Sequence, residues 1–148
     1  MRISAKGRYA LAAAIYLAQQ HHPDEYITVI SISERLGISK IYLEQVFSLL
    51  KRGRIVNSVK GSQGGYQLAK VPALLTALDV LKAVEASLFE QTDSTVEEKA
   101  PEIDGAMRLA TFEKLDNAVR ETLNRITLDE LVSEVERQVG EQEPMFYI

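Results

Sequence analysis

The apolar positions change period along the chain, and those changes mark its elements. Residues 4–20 are rich in alanine, with Leu11, Ile15 and Leu17, and predict a first helix. Ile32, Leu36 and Ile38 predict a second within residues 27–38, with Gly37 as its C-cap. Leu43, Val46, Phe47 and Leu50 fall at i, i+3, i+4 and i+7, the single apolar face of a third helix that Ser39 caps. Lys40, Glu44, Gln45, Ser48, Lys51 and Arg52 lie off that face, with Ile41, Tyr42 and Leu49 on its flanks. After Gly53 the β-branched Ile55, Val56 and Val59, the glycine-rich stretch Gly61 to Gly65 and the alternating Tyr66-Gln67-Leu68 predict a two-stranded hairpin, which Pro72 ends. Thr76 and Asp79 resemble a capping pair for a fourth helix carrying Leu78, Leu81 and Val84.

The second half reads differently. Residues 87–104 are polar, acidic and without period, which predicts a mobile loop. From 105 to 126, Leu109, Phe112, Leu115, Val119, Leu123 and Ile126 form a stripe at spacings of three and four. Thr127 and Glu130 look like a capping box for a last helix with Leu128, Leu131, Val132, Val135 and Val139 on one side. Residues 140–148 follow as a tail. Helix, short glycine turn, helix and basic-tipped hairpin make a winged helix-turn-helix. The expected fold is mostly α with a small β-hairpin wing: a DNA-binding domain over 1–86, the acidic loop over 87–104, dimerisation helices over 105–139 and the tail. The long stripe is either intramolecular core or a dimer seam. A seam suits a small reader that must span two half-sites one helical turn apart on a palindromic operator.

Charge sharpens this picture. The net charge of −4 conceals two opposite halves. Residues 1–72 hold 10 Lys and Arg against 4 Asp and Glu, while residues 73–148 hold 7 against 17. The basic footprint of a nucleic-acid binder is thus confined to the first half, and phosphate repels the second. The chain has no cysteine, which removes disulfides, zinc-thiolate sites and cysteine-held iron–sulfur clusters. No apolar run reaches membrane-spanning length and the basic start is not followed by a cleavable apolar region, so the expected location is the cytoplasm. His21 and His22 are adjacent, have no further ligands at sensible spacing, and read as an exposed loop. Lys6 and Arg8 stand near the start of the first helix, where they either help hold a phosphate or are solvated charges. An enzyme has little to stand on: there is no cysteine nucleophile, no glycine-rich nucleotide motif in a βαβ setting and no convincing acid–base pair.

MRISAKGRYAL at 1–11, ISERLGIS at 32–39, YLEQVFSLL at 42–50 and VNSVKGSQGGYQL at 56–68 resemble, in order and spacing, the Rrf family of bacterial winged-helix regulators. The resemblance implies a homodimeric regulator that binds double-stranded DNA, dimerising through the helix at 105–126. It implies that Ser39, Lys40, Tyr42, Glu44 and Gln45 meet base edges or phosphates, with Glu44 accepting from a cytosine amine. Lys6, Arg8, Lys51 and Lys60 then fix the register on phosphates, and Tyr9, Gly64 and Gly65 join the interface. Glu44 also reads as an intrahelical partner of Lys40, and Tyr42 as the edge of the core. Members that sense iron or nitric oxide hold a cluster through three cysteines after the fourth helix, whereas the matching loop here has none. Lys60 stands where the family often has arginine, and Arg54-Ile55-Val56 stands where it usually has Gly-Leu-Val, with the glycine one place earlier at Gly53. The chain looks most like the cluster-free cysteine-metabolism (CymR-type) branch. That likeness implies a repressor whose tail, Met145, Phe146, Tyr147 and Ile148, enters cysteine synthase (O-acetylserine sulfhydrylase). The alternatives are a tail packed on the dimer, and a protein-interaction module on a degenerate winged helix.

Overall fold

The computed structural model describes residues 3–61 and 64–142. Helix α1 (Ala5–Gln19) starts where Ser4 Oγ accepts from the Gly7 N–H at 3.1 Å. Helices α2 (Val29–Leu36) and α3 (Lys40–Arg52) follow the predicted bounds closely, because their signals are local. Between them Gly37 adopts φ 68°, a left-handed turn that an L side chain resists. The Ser33 hydroxyl donates to the Ile38 carbonyl at 2.6 Å and holds that turn. Strands β1 (Val56–Val59) and β2 (Gly65–Leu68) pair antiparallel, from Val56 opposite Leu68 to Val59 opposite Gly65. A 3-10 turn at Pro72–Leu74 leads to α4 (Ala77–Val84), whose capping box is complete: the Asp79 N–H donates to Thr76 Oγ1 at 3.1 Å and the Thr76 N–H to Asp79 Oδ2 at 2.9 Å.

The core lies among α1, α3, α4 and the wing. The predicted stripe Leu43, Val46, Phe47 and Leu50 is wholly buried, against Ala10, Ala13, Ala14 and Leu17 of α1 and Val80 and Val84 of α4. Alanines let α1 pass close to its neighbours, and each buried aliphatic group contributes about 1.5–3 kcal/mol.

Beyond α4 the structure departs from the sequence expectation in three ways. Residues 101–104, read as loop, begin a helix: α5 (Pro101–Met107) opens on a proline, which suits a first helical position. It runs into a π-helical turn, Arg108–Phe112, and on into α6 (Glu113–Arg125). The segment at 87–100 keeps its irregular backbone but is anchored. Asp104, only 7% exposed, accepts from the N–H groups of Thr95 (3.0 Å) and Val96 (3.3 Å), and Arg120 sits 4.0 Å above the Phe89 ring. Finally α7 (Leu128–Gln142) takes in the first three residues of the expected tail, and its first turns pack on the body. Leu128 is fully buried, and Leu131 and Val132 pack against the same core. The Ala77 N–H donates to the Ile126 carbonyl (2.8 Å) and the Leu128 N–H to the Leu75 carbonyl (2.9 Å), a short bridge between chain segments fifty residues apart. Residues 143–148, including the apolar end of the tail, lie outside the described residues.

Candidate nucleic-acid interface

Opposite its buried stripe, α3 turns Lys40, Glu44, Gln45 and Ser48 to solvent. Its first turn is fixed by Ser39, whose Oγ accepts from the Tyr42 N–H at 3.3 Å. Tyr42 meets Tyr9 edge to face, ring centres 4.9 Å apart. That contact sets the first turn of α1, with Lys6 and Arg8, both exposed and just before Tyr9 in sequence, beside the first turn of α3. Lys40 and Glu44 are 3.9 Å apart and both half-exposed, so the intrahelical pair is real but weak, worth about 0.3–0.5 kcal/mol, and a base or phosphate can displace it. Lys51 is exposed at the far end of α3, about 16 Å along the axis from Lys40 at 1.5 Å per residue, and would reach a separate stretch of backbone.

The wing is locked to this helix. Tyr66 of β2 stacks on Phe47 of α3, ring centres 4.3 Å apart and planes 14° off parallel. Burial, and then the negative charge of Glu44, push the Tyr66 phenol above its usual pKa. Ile27 and Tyr66 exchange two backbone hydrogen bonds of 2.9 Å, so the chain before α2 adds a rung to the hairpin. Between wing and helix lies an open groove of about 420 Å³ bordered by Thr28, Ile30, Lys40, Glu44, Ser58 and Lys60. Gly64 also borders it. Gly65 is buried: a Cβ there would meet the Ile27 carbonyl oxygen at 2.9 Å. Gly65 therefore admits the Ile27 backbone, and it lines the same groove as Gly64.

One expectation needs revision. The start of α1 is not open to an anion. The Ser4 N–H donates to Glu85 Oε1 at 2.9 Å, and the Ser4 hydroxyl donates to the same carboxylate. The chain's own anion thus occupies the helix N-terminus, where it is favoured by the partial positive charge, and a phosphate at that spot would be repelled. Lys6 and Arg8 can act only as exposed cations. A Cβ on Gly7 would run into Glu85 and into Ile3 Cγ2 at 2.8 Å, so a glycine inside a predicted helix was the available sign of this close approach. The shifted glycine after α3 also has consequences. Arg54, not Gly53, takes the left-handed conformation, with φ 63°. Gly53 instead clears Ala83 of α4, where a Cβ would lie 2.7 Å from the Ala83 Cβ.

A polar recognition helix, a basic-tipped wing and a helical body match known proteins over nearly the whole chain. A model of the Rrf2 family, described as iron-dependent transcriptional regulators, matches residues 3–134. The chain belongs to the Rrf2 family. The regulator CymR of Bacillus subtilis is 36% identical over 149 residues, spanning all of both chains. The regulator IscR of Pectobacterium atrosepticum is 38% identical over 136 residues, 92% of this chain and 82% of that one. The solved structure of CymR, the global cysteine regulator of B. subtilis, superposes with a TM-score of 0.71 at 31% identity, covering 90% of this chain and 98% of that one.

Membership makes the chain a DNA-binding transcriptional regulator of winged-helix fold rather than an enzyme. The iron of the Rrf2 description does not fit a cysteine-held cluster here, because the chain has no cysteine. Among the described residues, no group of three or more histidines and carboxylates is placed to hold a metal ion. Among the described residues no helix is long and apolar enough to cross a membrane.

Proposed function

We propose that this Rrf2 protein is a cluster-free, dimeric cytoplasmic repressor of cysteine and sulfur metabolism genes. The two-sidedness of α3 supports this best: one side is wholly buried, while the other carries Lys40, Glu44 and Gln45 beside the wing's Lys60. Placed in a major groove, that side sets Glu44 and Gln45 at base edges, with Lys40, Lys51 and Lys60 on phosphates.

The dimer reading is supported by α6, which buries no residue within its own chain. Leu109 is 56% and Leu115 59% exposed on its rod, and Phe112, Val119 and Leu123 are only partly covered. A second copy would cover that stripe and set two recognition helices about 34–36 Å apart. Ile126, the last of the stripe, is held instead by the bridge to Ala77. The cysteine-metabolism assignment is supported by likeness to CymR over the full length of both chains and by the apolar run Met145, Phe146, Tyr147 and Ile148. An apolar segment of this kind can be captured in a partner's pocket, and cysteine synthase is the partner proposed for it.

Fluorescence anisotropy with duplexes from the protein's own promoter tests the DNA reading. Log affinity should fall linearly with log salt at about 0.9 per phosphate neutralised. Affinity without sequence preference or salt slope rejects it. Calorimetric titration of cysteine synthase with a peptide of residues 139–148 tests the partner, and no heat at high micromolar peptide rejects that.

A further inference from the structure

The outward side of α3 carries one residue that neither folding nor charge explains. Ile41 is 73% exposed, more than any other large apolar side chain among the described residues. It precedes Glu44, Gln45 and Ser48 by three, four and seven positions, and it borders one shallow hollow with them. It therefore opens the stripe that faces away from Leu43, Val46, Phe47 and Leu50. Within the chain it contributes little: its apolar surface stays in water, and a β-branched residue is a poorer helix former than alanine.

The groove that receives such a helix does offer an apolar partner. Thymine is the only base that presents a methyl group at the major-groove edge. The first residues of a recognition helix are those that reach base edges, and Ile41 is the second residue of α3. We propose that Ile41 is a specificity-determining residue that packs on the C5 methyl of a thymine in each half-site. This rests on α3 lying in the major groove, as proposed above. Ile41 is three residues from Glu44, about 4.5 Å along the axis, against about 3.4 Å between stacked bases. The thymine thus lies one or two base pairs from the base that Glu44 meets. Lys40, beside Ile41 and paired with Glu44, takes the phosphate flank and helps exclude water from the methyl contact.

The test uses the full chain. A randomised-duplex selection first yields the preferred site. Each thymine in it is then replaced singly, and in symmetric pairs, by deoxyuridine, which removes only the methyl. Wild type, Ile41→Ala and Ile41→Val are compared by anisotropy. Ile41 is exposed and alanine favours helix, so the alanine variant keeps the fold. Wild type should lose about fourfold in affinity at one thymine per half-site and about 15-fold when both are replaced, the worth of a methyl taken from water. Ile41→Ala should bind the thymine and deoxyuridine duplexes equally, and Ile41→Val should keep most of the discrimination. Wild type indifferent to every replacement, or Ile41→Ala as sensitive as wild type, overturns the role of Ile41 while a selected site leaves the DNA reading standing. A selection that enriches no sequence overturns both.

Discussion

Gly65→Ala should damage stability and DNA binding together. The added Cβ would lie 2.9 Å from the Ile27 carbonyl oxygen, 3.1 Å from its carbon and 3.2 Å from the Tyr26 Cβ. Two of those three atoms are backbone, so no side-chain rotation relieves the contact. The Ile27 strand must move off, which stretches the two 2.9 Å hydrogen bonds it exchanges with Tyr66. Overpacking of this kind costs about 1–3 kcal/mol, and each weakened hydrogen bond about 0.5–1.5 kcal/mol. The low end of that sum, about 2 kcal/mol, is already about thirtyfold in the folding equilibrium and about 4–8 °C in melting temperature. Because Tyr66 stacks on Phe47, the same shift tilts the wing against α3, and operator affinity should fall by more than unfolding alone explains. Urea titration at constant m-value gives the first number and anisotropy at saturating folded fraction the second. Gly140→Ala is the control: it is helical, with open space around it, and should stabilise by about 0.5–1 kcal/mol. A Gly65→Ala protein within about 0.3 kcal/mol of wild type, well below the overpacking range, would refute the close-approach reasoning.

Further outcomes follow from other features. Arg54→Gly should stabilise by about 0.5–1 kcal/mol relative to Arg54→Ala, since glycine accepts φ 63° without the cost to an L residue; equal midpoints would mean the conformation is not strained. Leu109→Glu with Leu115→Glu should yield a helical monomer by light scattering, because both side chains are exposed in the single chain; a dimer would place the seam elsewhere. Lys60→Ala should lower the salt slope by about 0.9 on every duplex tested, and an unchanged slope would remove Lys60 from the phosphate contacts. Glu134, held by hydrogen bonds from Arg137 and Gln138, has its carboxyl lowered to about 2. Its contribution to α7 is therefore complete above the ordinary 4.5 and lost as pH falls toward 2; Arg137→Ala should return the carboxyl toward 4.5 in an NMR titration.

Local chemistry was legible in the sequence. The α3 stripe, the Ser39 cap, the Gly37 turn and the Thr76–Asp79 box each depend on residues within a turn or two of one another, so spacing exposes them. Of the box read at Thr127, the bond from the Glu130 N–H to Thr127 Oγ1 is made, at 3.1 Å. What escaped was set by distant partners. Glu85 reaches Ser4 across eighty-one positions, and nothing near Ser4 announces it. The stripe of α7 looked the same whether it faced a partner or its own body, and only the burial of Leu128 decides its start. Asp104 lies in an acidic run and differs from its neighbours only by the two N–H groups folded back onto it. Within the candidate site, residue type pointed to Lys40, Glu44 and Gln45, but an apolar flank residue such as Ile41 has no type-based signal; its exposure does.

The π-helical turn at Arg108–Phe112 bears on how this rod can evolve. Such a turn amounts to one residue more than an α-helix would use, and each residue of α-helix turns the axis by about 100°. Loss of a single codon there would restore regular winding and rotate everything before it relative to everything after. Asp104 would swing off Thr95 and Val96 while α6 kept its seat beside α4. A one-codon event could thus re-aim the acidic segment without disturbing the helix that follows, letting lineages diversify one end of the rod while purifying selection holds the other.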